Sequence, residues 1–257
     1  MRNDLVSIIM PAFNAEKYIL ESINSAIVQS YTDWELIVID DKSSDGTVEL
    51  VKNSYINEPR VRVLKSSVNG GPGIARNLGI ANANGRWLAF LDSDDMWDKN
   101  KLELQLDFQK KNDAALTYTA FKRFKQFDKP GSLVNVPISL NYFQSLGNTA
   151  IPTSTVIIDR EKVVNFKMTE TVCDDFVSWV KIIKQFPPAL GINKDLMRYR
   201  VLPNSVSRRK LRNAYIVWKT YRQDFGFNVF KSLFFFIQYA TNALIKYSKF
   251  WELISFK

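Results

Sequence analysis

The apolar run Trp87-Leu88-Ala89-Phe90-Leu91 ends in an acidic cluster, Asp92-Ser93-Asp94-Asp95. Carboxylates crowded at the mouth of a buried strand repel one another, and they are tolerated chiefly where they hold a cation or meet a cationic partner. On an extended segment Asp92 and Asp94 project to the same side. They then either share one divalent cation or divide between a cation and a ribose. A departing diphosphate needs such a cation to neutralise its charge. The plainer alternative is a solvated acidic turn capping the next helix. The position directly after a buried strand favours the chemical reading.

A second acidic pair, Asp40-Asp41, ends the run Leu36-Ile37-Val38-Ile39 and opens the loop Lys42-Ser43-Ser44-Asp45-Gly46. A carboxylate here is suited to accept the N–H of a uracil ring, a charge-assisted bond, and Asp41 is the candidate. Asp45 or Ser44 is expected to cap the following helix. A third feature is Asn69-Gly70-Gly71-Pro72-Gly73, leading into a helix that carries Arg76. Glycines permit close backbone approach, and a helix N-terminus favours negative charge. Arg76 is placed to pair with phosphate or with Asp94. The G-x-G-x-x-G spacing of a dinucleotide fingerprint is absent.

These residues need a scaffold that brings them to one edge. Residues 5–10, 34–39, 61–64, 86–91 and 114–120 read as strands; helices are expected over 15–30, 47–55 and 99–111, and another, carrying Ile74, Ala75, Leu78 and Ile80, after the Asn69–Gly73 loop. Asn14 is the expected N-cap of the first helix, and Leu102, Leu106 and Phe108 are core candidates on the last. Strand–helix alternation predicts a largely parallel α/β sheet with right-handed crossovers, and such sheets bind ligands at the carboxyl ends of their strands. Further on, residues 153–158 and 196–201 read as strands and 174–185 as a helix.

Composition narrows the chemistry. The 257 residues include no histidine and one cysteine, Cys173. Ser-His-Asp and Cys-His catalysis, His-ligated metals and an intrachain disulfide are thereby excluded. A general base must be Asp or Glu, and a metal site oxygen-ligated, which favours Mg or Mn. No signal peptide or membrane span is expected.

The net charge of +9 is concentrated from Arg208 onward, where ten Lys and Arg face only Asp224 and Glu252. This tail suggests an anionic partner. Residues 232–245 are uncharged and aromatic, which suits a helix lying in the plane of an anionic membrane surface. Packing of Phe230, Leu233, Phe234, Ile237 and Leu244 against the rest of the chain is the equal alternative. Zinc-finger spacing, RNP-like blocks and a helix-turn-helix signature are missing, so no nucleic-acid partner is expected.

Four blocks in order resemble glycosyltransferase family 2: Val6 to Asn14, Glu35 to Thr47, Gly73 to Gly79 and Phe90 to Trp97. The resemblance is strong over 5–110, weak over 150–207 and absent beyond 208. It implies a GT-A fold, Rossmann-like with flanking helices and here a C-terminal helical appendage. It also implies a nucleotide-sugar donor, UDP-linked by preference, a divalent cation (Mn or Mg) and inverting transfer. Carried over by position, Pro11, Ala12 and Asn14 line the nucleotide pocket and Asp41 meets the base. Arg76 faces the nucleotide, Asp92 and Ser93 lie at the ribose or metal, and Asp94 binds the metal.

The family's second half carries an acidic pair whose Asp is the catalytic base, with a Trp four residues later. Here these are Asp174-Asp175 and Trp179, with Asp in place of the usual Glu. Asp175 is the expected base and Asp174 the alternate. Arg200 and Ser205 are expected near the diphosphate.

The resulting expectation has residues 1–207 as catalytic domain (1–110 nucleotide half, 111–207 acceptor half) and 208–257 as a basic tail. The implied acceptor is a sugar on a polyprenyl diphosphate in bacterial O-antigen or capsule assembly. The implied location is the cytoplasmic face of the inner membrane, with peripheral attachment. A catalytically silent nucleotide-sugar-binding or scaffold protein is the rival reading.

Overall fold

The computed structural model describes residues 1–124, 130–148, 151–202 and 210–252. In chain order the elements are β1 (Arg2–Ala12), α1 (Ile19–Ile27), β2 (Trp34–Asp40), α2 (Thr47–Ser54), β3 (Val61–Lys65), α3 (Pro72–Ala81), β4 (Gly85–Phe90), β5 (Met96–Trp97) and α4 (Lys101–Lys111). They continue as β6 (Leu116–Phe124), β7 (Pro130–Val134), β8 (Ser139–Leu140), α5 (Tyr142–Leu146), β9 (Ile157–Asp159), α6 (Asp174–Gln185), β10 (Ala189–Arg200), α7 (Lys210–Gln223) and α8 (Val229–Glu252).

One sheet runs β3-β2-β1-β4-β9-β6-β10-β5, with β7 paired to β6 and β8 to β10. The pairs β1–β2, β1–β4, β2–β3 and β6–β10 are parallel. β9 is antiparallel to both β4 and β6, so it enters the sheet from the edge at which its neighbours leave. The turn before β9 therefore lies among the carboxyl ends of the parallel strands. The reversal of β9 brings residues 153–155 to the functional edge, where an all-parallel crossover would have left them at the other.

Period-two alternation explains the layers. Ile9, Ile37, Ile39, Leu88 and Phe90 face α3 and α6 and pack with Ala75, Trp179 and Ile183. Ile8, Met10, Leu36, Val38 and Ala89 face the opposite way, toward Ile19 and Ile23 of α1 and Leu102 and Leu106 of α4. A third cluster joins Phe176 and Val180 of α6 to Val217, Tyr221, Phe227 and Phe235. The basic C-terminal segment is thus helical and is fastened to α6 by aromatic packing.

Several local expectations need correction. α1 begins at Ile19 with Tyr18 at its N-cap, and the Asn14 side chain instead binds the neighbouring loop. Residues 153–155 form a 3-10 turn rather than strand. The buried face of α4 is Lys101, Leu102, Gln105, Leu106 and Gln109, while Phe108 is only half buried. Polar residues on that face hid it from hydrophobic periodicity. They are held by bonds such as Gln105 Nε2 to Thr117 Oγ1 at 3.0 Å.

Lys101 is fully buried, and its ammonium sits 3.9 Å from the centre of the Trp97 ring without a hydrogen-bond partner. Burial pushes its pKa well below the ordinary lysine value. The unfolded chain therefore holds this proton where the folded one resists it, so stability from this group rises with pH toward the ordinary lysine range. Lys101→Met is expected to stabilise the fold at pH 7 by about 1–3 kcal/mol, since it removes an unpaired buried cation while keeping its volume. Thermal melts at pH 7 and pH 9 should show the gain shrinking at the higher pH.

Candidate active site

β1 and β2 end side by side, with Ala12 registered against Asp40, and this pair builds one wall. Pro11 and Ala12 are buried there. Asn14 has the left-handed φ of 49° that asparagine tolerates, and its Oδ1 accepts the Ser44 amide at 2.8 Å. The N-cap of α2 is Gly46 rather than the expected Asp45 or Ser44; Asp45 accepts the Thr47 amide at 3.1 Å from just outside the helix.

Asp41 is buried, and its two carboxylate oxygens accept the amides of Gly70 and Gly71 at 2.9 and 2.7 Å. Gly71 sits at φ 81°, which a side chain would strain. Asp41 therefore pins the glycine loop that leads into α3. A carboxylate has about four acceptor directions, so this use leaves capacity for a further donor.

The acidic cluster is a turn, not an extended segment: the Asp95 amide donates to the Asp92 carbonyl at 3.0 Å. The expectation that Asp92 and Asp94 project together from a strand is corrected by this turn, which divides the carboxylates by task. Asp95 is buried and structural. It accepts Ser154 Oγ at 2.6 Å and the Arg200 amide at 3.0 Å, joining β4, the turn before β9, and β10. The Ser93 carbonyl accepts Ser22 Oγ at 2.9 Å, anchoring the cluster to α1.

Arg200 is buried and wraps the same turn. Its Nε donates to the Asp94 carbonyl at 2.7 Å, and a terminal nitrogen reaches Glu21 Oε2 at 2.6 Å. Its guanidinium also stacks over Tyr18 and Phe124, 4.7 and 4.5 Å from the ring centres. Ser205, expected beside it, lies outside the described residues.

Arg76 is the hub. It is buried on α3, and it donates from Nη2 to Asp92 Oδ1 at 2.7 Å and from Nη1 to Asp174 Oδ2 at 2.9 Å. The expected pairing with Asp94 is replaced by this double bridge, because the N-terminus of α6 comes down onto α3. Gly73 permits that approach: a Cβ there would lie 2.8 Å from Asp174 Oδ2. Burial pushes the Asp174 carboxyl up to about 6, and Arg76 holds it from going further.

Asp175 sits beside this bridge. Its Oδ1 accepts the Phe176 amide at 2.6 Å, and its Oδ2 accepts Thr153 Oγ1 at 3.3 Å. Desolvation raises its pKa above the usual carboxylate value, opposed by Arg76. Trp179 does not line this edge; it is buried in the core between Phe90 and Phe166, with ring centres at 5.4 and 6.1 Å. It therefore props the strand that delivers Asp92.

Among the described residues no group of three or more acidic or cysteine side chains forms a ready metal cage. Asp94 nonetheless has the chemistry of an open ligand. Its carboxyl is pushed up to about 6 by burial and by Asp92, against a hydrogen bond from its own amide and the charge of Arg200. An anion so disfavoured is what a divalent cation completes, with the remaining oxygens drawn from a bound ligand. The residues fit the cation.

Sequence reasoning missed Thr153, Ser154 and Glu21. The first two needed knowledge that β9 is reversed. Glu21 reveals itself only through Arg200, far away in the chain.

Comparison with known proteins is in keeping with this geometry. Residues 7–172 match the sequence model of the family described as Glycosyl transferase family 2. TuaG of Bacillus subtilis, a glycosyltransferase assigned to teichuronic acid biosynthesis, is 37% identical over 94% of this chain and 97% of its own length. The Escherichia coli protein WfgD, a UDP-Glc:alpha-D-GlcNAc-diphosphoundecaprenol beta-1,3-glucosyltransferase, is 32% identical over 96% of this chain and 97% of its own. Among solved structures, the mannosyltransferase PcManGT of Pyrobaculum calidifontis, in complex with GDP-Man and Mn2+, superposes with a TM-score of 0.70 at 16% identity. That match covers 89% of this chain and 66% of PcManGT, and it shows the α/β GT-A fold. With its family-model match over most of the catalytic edge and full-length relatives above 30% identity, this chain belongs to glycosyltransferase family 2.

Proposed function

We propose that this glycosyltransferase moves a hexose or N-acetylhexosamine from a UDP-sugar, with inversion, to a sugar carried on a polyprenyl diphosphate. The setting is bacterial surface-polysaccharide assembly at the cytoplasmic face of the inner membrane. The observation that carries the mechanism is the Asp92–Arg76–Asp174 bridge, which holds the acid pair of α6 against the turn at the end of β4. The donor preference rests on the UDP-Glc named for WfgD, and the acceptor class on the diphosphoundecaprenol in the same name.

In this reading residues 1–110 hold the nucleotide and 111–207 face the acceptor. Pro11, Ala12 and Asn14 border the nucleoside, and Asp41 accepts the uracil N–H with its spare lone pairs. Asp92 receives the ribose. Asp94 holds a divalent cation, which would supply charge neutralisation for the diphosphate; the Mn2+ of PcManGT supports this assignment. Arg76 is a positioning residue, its two terminal nitrogens already committed to carboxylates.

Asp175 takes the proton from the acceptor hydroxyl as that oxygen attacks the anomeric carbon from the face opposite the leaving group. The anomeric C–O bond breaks, and its electron pair departs with UDP. The protonated Asp175 then releases its proton to water. Holding acceptor and donor in line supplies much of the rate.

The pH profile tests the base. Asp175 acts only when ionised, and its pKa is raised, so transfer climbs with pH through a limb displaced above the ordinary Asp range. Thr153 donates to the ionised form and lowers that pKa. Thr153→Val should therefore move the acid limb of kcat to higher pH, by at most about one unit for one lost hydrogen bond. An unmoved limb would take Thr153, and with it Asp175, out of the proton transfer.

A donor screen tests the function itself. UDP-Glc, UDP-Gal, UDP-GlcNAc and UDP-GalNAc are each offered with Mn and a GlcNAc-diphosphate-lipid analogue. Transfer from one of them supports the reading, and its absence from all four, with UDP still bound, would favour a silent sugar-nucleotide binder.

A further inference from the structure

α8 has two faces with different fates. Ser232 and Phe235 are buried, and Phe235 joins the aromatic cluster of Tyr221 and Phe227, with ring centres 6.2 and 5.7 Å away. Asn242 Nδ2 donates to the Gly147 carbonyl at 2.9 Å, fixing the helix further along. The opposite face carries Phe230, Leu233, Phe234 and Ile237, spaced at helical intervals of three and four. These are 84, 46, 66 and 57% exposed. Of these rings, Phe234 touches the buried face only edge-on, 5.2 Å from Phe235. A continuous stripe of large apolar side chains in water, on a helix already anchored by its other side, marks an interaction surface.

We propose that this outward face of α8 docks the enzyme on a bilayer that carries anionic headgroups, with the helix lying in the membrane plane. The choice of occupant rests on charge. Residues 208–257 carry ten Lys and Arg against two acidic residues. An anionic lipid surface complements that segment. A second copy docked face to face would set the same cationic segment against itself. Among the described residues no helix is long and apolar enough to cross a membrane, so an apolar face of this size is suited to lying at the interface.

The platform is also coupled to the catalytic edge. Phe176, directly after the acid pair on α6, packs against Tyr221 and Phe225 at 6.4 and 5.9 Å. A surface that orients α7 and α8 therefore orients the helix that bears Asp174 and Asp175. The functional meaning of this docking rests on the lipid-linked acceptor proposed above; the docking itself is measured independently of it.

The test uses the full chain and vesicles of phosphatidylglycerol with phosphatidylethanolamine, beside vesicles of phosphatidylcholine alone. The wild type should sediment with the anionic vesicles, more weakly as salt is raised. Phe230→Ser combined with Phe234→Ser should lower that partitioning by about tenfold to hundredfold, because two phenyl groups no longer enter the interface. Both positions are exposed, so the thermal melt and transfer to a short, water-soluble acceptor should stay at wild-type values.

A wild type that ignores anionic vesicles at low salt overturns the proposal, as does a double variant that binds them undiminished. So does a wild-type dimer that the double variant splits while vesicle binding stays unchanged, since the stripe is then a contact between copies. Normal transfer to the soluble acceptor without vesicle binding removes the docking alone. Vesicle binding without transfer to any acceptor removes the enzymatic reading alone.

Discussion

Asp175→Asn is expected to lower the transfer rate by roughly 10²–10⁴-fold, the usual contribution of a general base, while UDP affinity stays within about twofold. The substitution keeps the shape of the side chain and its bond to the Phe176 amide through the remaining oxygen. What it removes is the ability to take a proton. Asp175 makes no bridge to Arg76, so the frame of the site survives. The neighbour supplies the contrast. Asp174→Asn breaks one arm of the Arg76 bridge and should show up as a lower melting temperature as well as slower transfer. A turnover loss for Asp175→Asn with unchanged melting separates catalysis from scaffolding. Near-normal turnover would remove Asp175 as the base, and histidine is not there to replace it.

The strands that carry Asp41 and Asp92 were legible because buried parallel strands are short apolar runs, and each ends in a polar cluster where the chain turns back over the sheet. α6 was legible to its limits, Asp174–Gln185, since its acidic start and apolar spacing both follow local rules. What stayed hidden was set by partners distant in the chain. Asp92, Asp94 and Asp95 are interchangeable by residue type, and only Ser154, Arg200 and Arg76 divide them into an anchor, an unbridged carboxylate and a bridged acid. Arg200 illustrates the same limit. The family resemblance put it near the diphosphate, and only the structure shows that its Nε and one terminal nitrogen bind the Asp94 carbonyl and Glu21. The buried polar face of α4 defeated hydrophobic periodicity for the same reason, because Gln105 and Gln109 are acceptable inside only through bonds to β6 and its neighbours.

The largest stability effect is expected from Arg76→Met. The side chain is 4% exposed and its charge is matched by Asp92 and Asp174. Removing one partner of a buried ionic set leaves the others uncompensated, at a cost of about 3–5 kcal/mol. Methionine fills much of the space, so this cost is electrostatic rather than a cavity. The pH dependence distinguishes the two. Burial pushes the Asp174 carboxyl up to about 6 even with Arg76 beside it, and that arginine is the strongest influence holding it down. Without the guanidinium its folded-state pKa rises further. A raised carboxyl binds its proton more tightly folded than unfolded, so the group favours folding at low pH and loses that advantage as pH climbs through the raised value. The melting gap between wild type and Arg76→Met should accordingly be small near pH 5, where Asp174 is protonated, and widen by pH 7.5. A gap independent of pH would mean that Arg76 acts through packing, and the bridge would lose its place as the element that holds α6 to the nucleotide edge. Restoring neutrality makes the same point: Asp174→Asn added to Arg76→Met should recover part of the lost stability, yet transfer should stay low, because the acid pair is then no longer tied to the turn that ends β4.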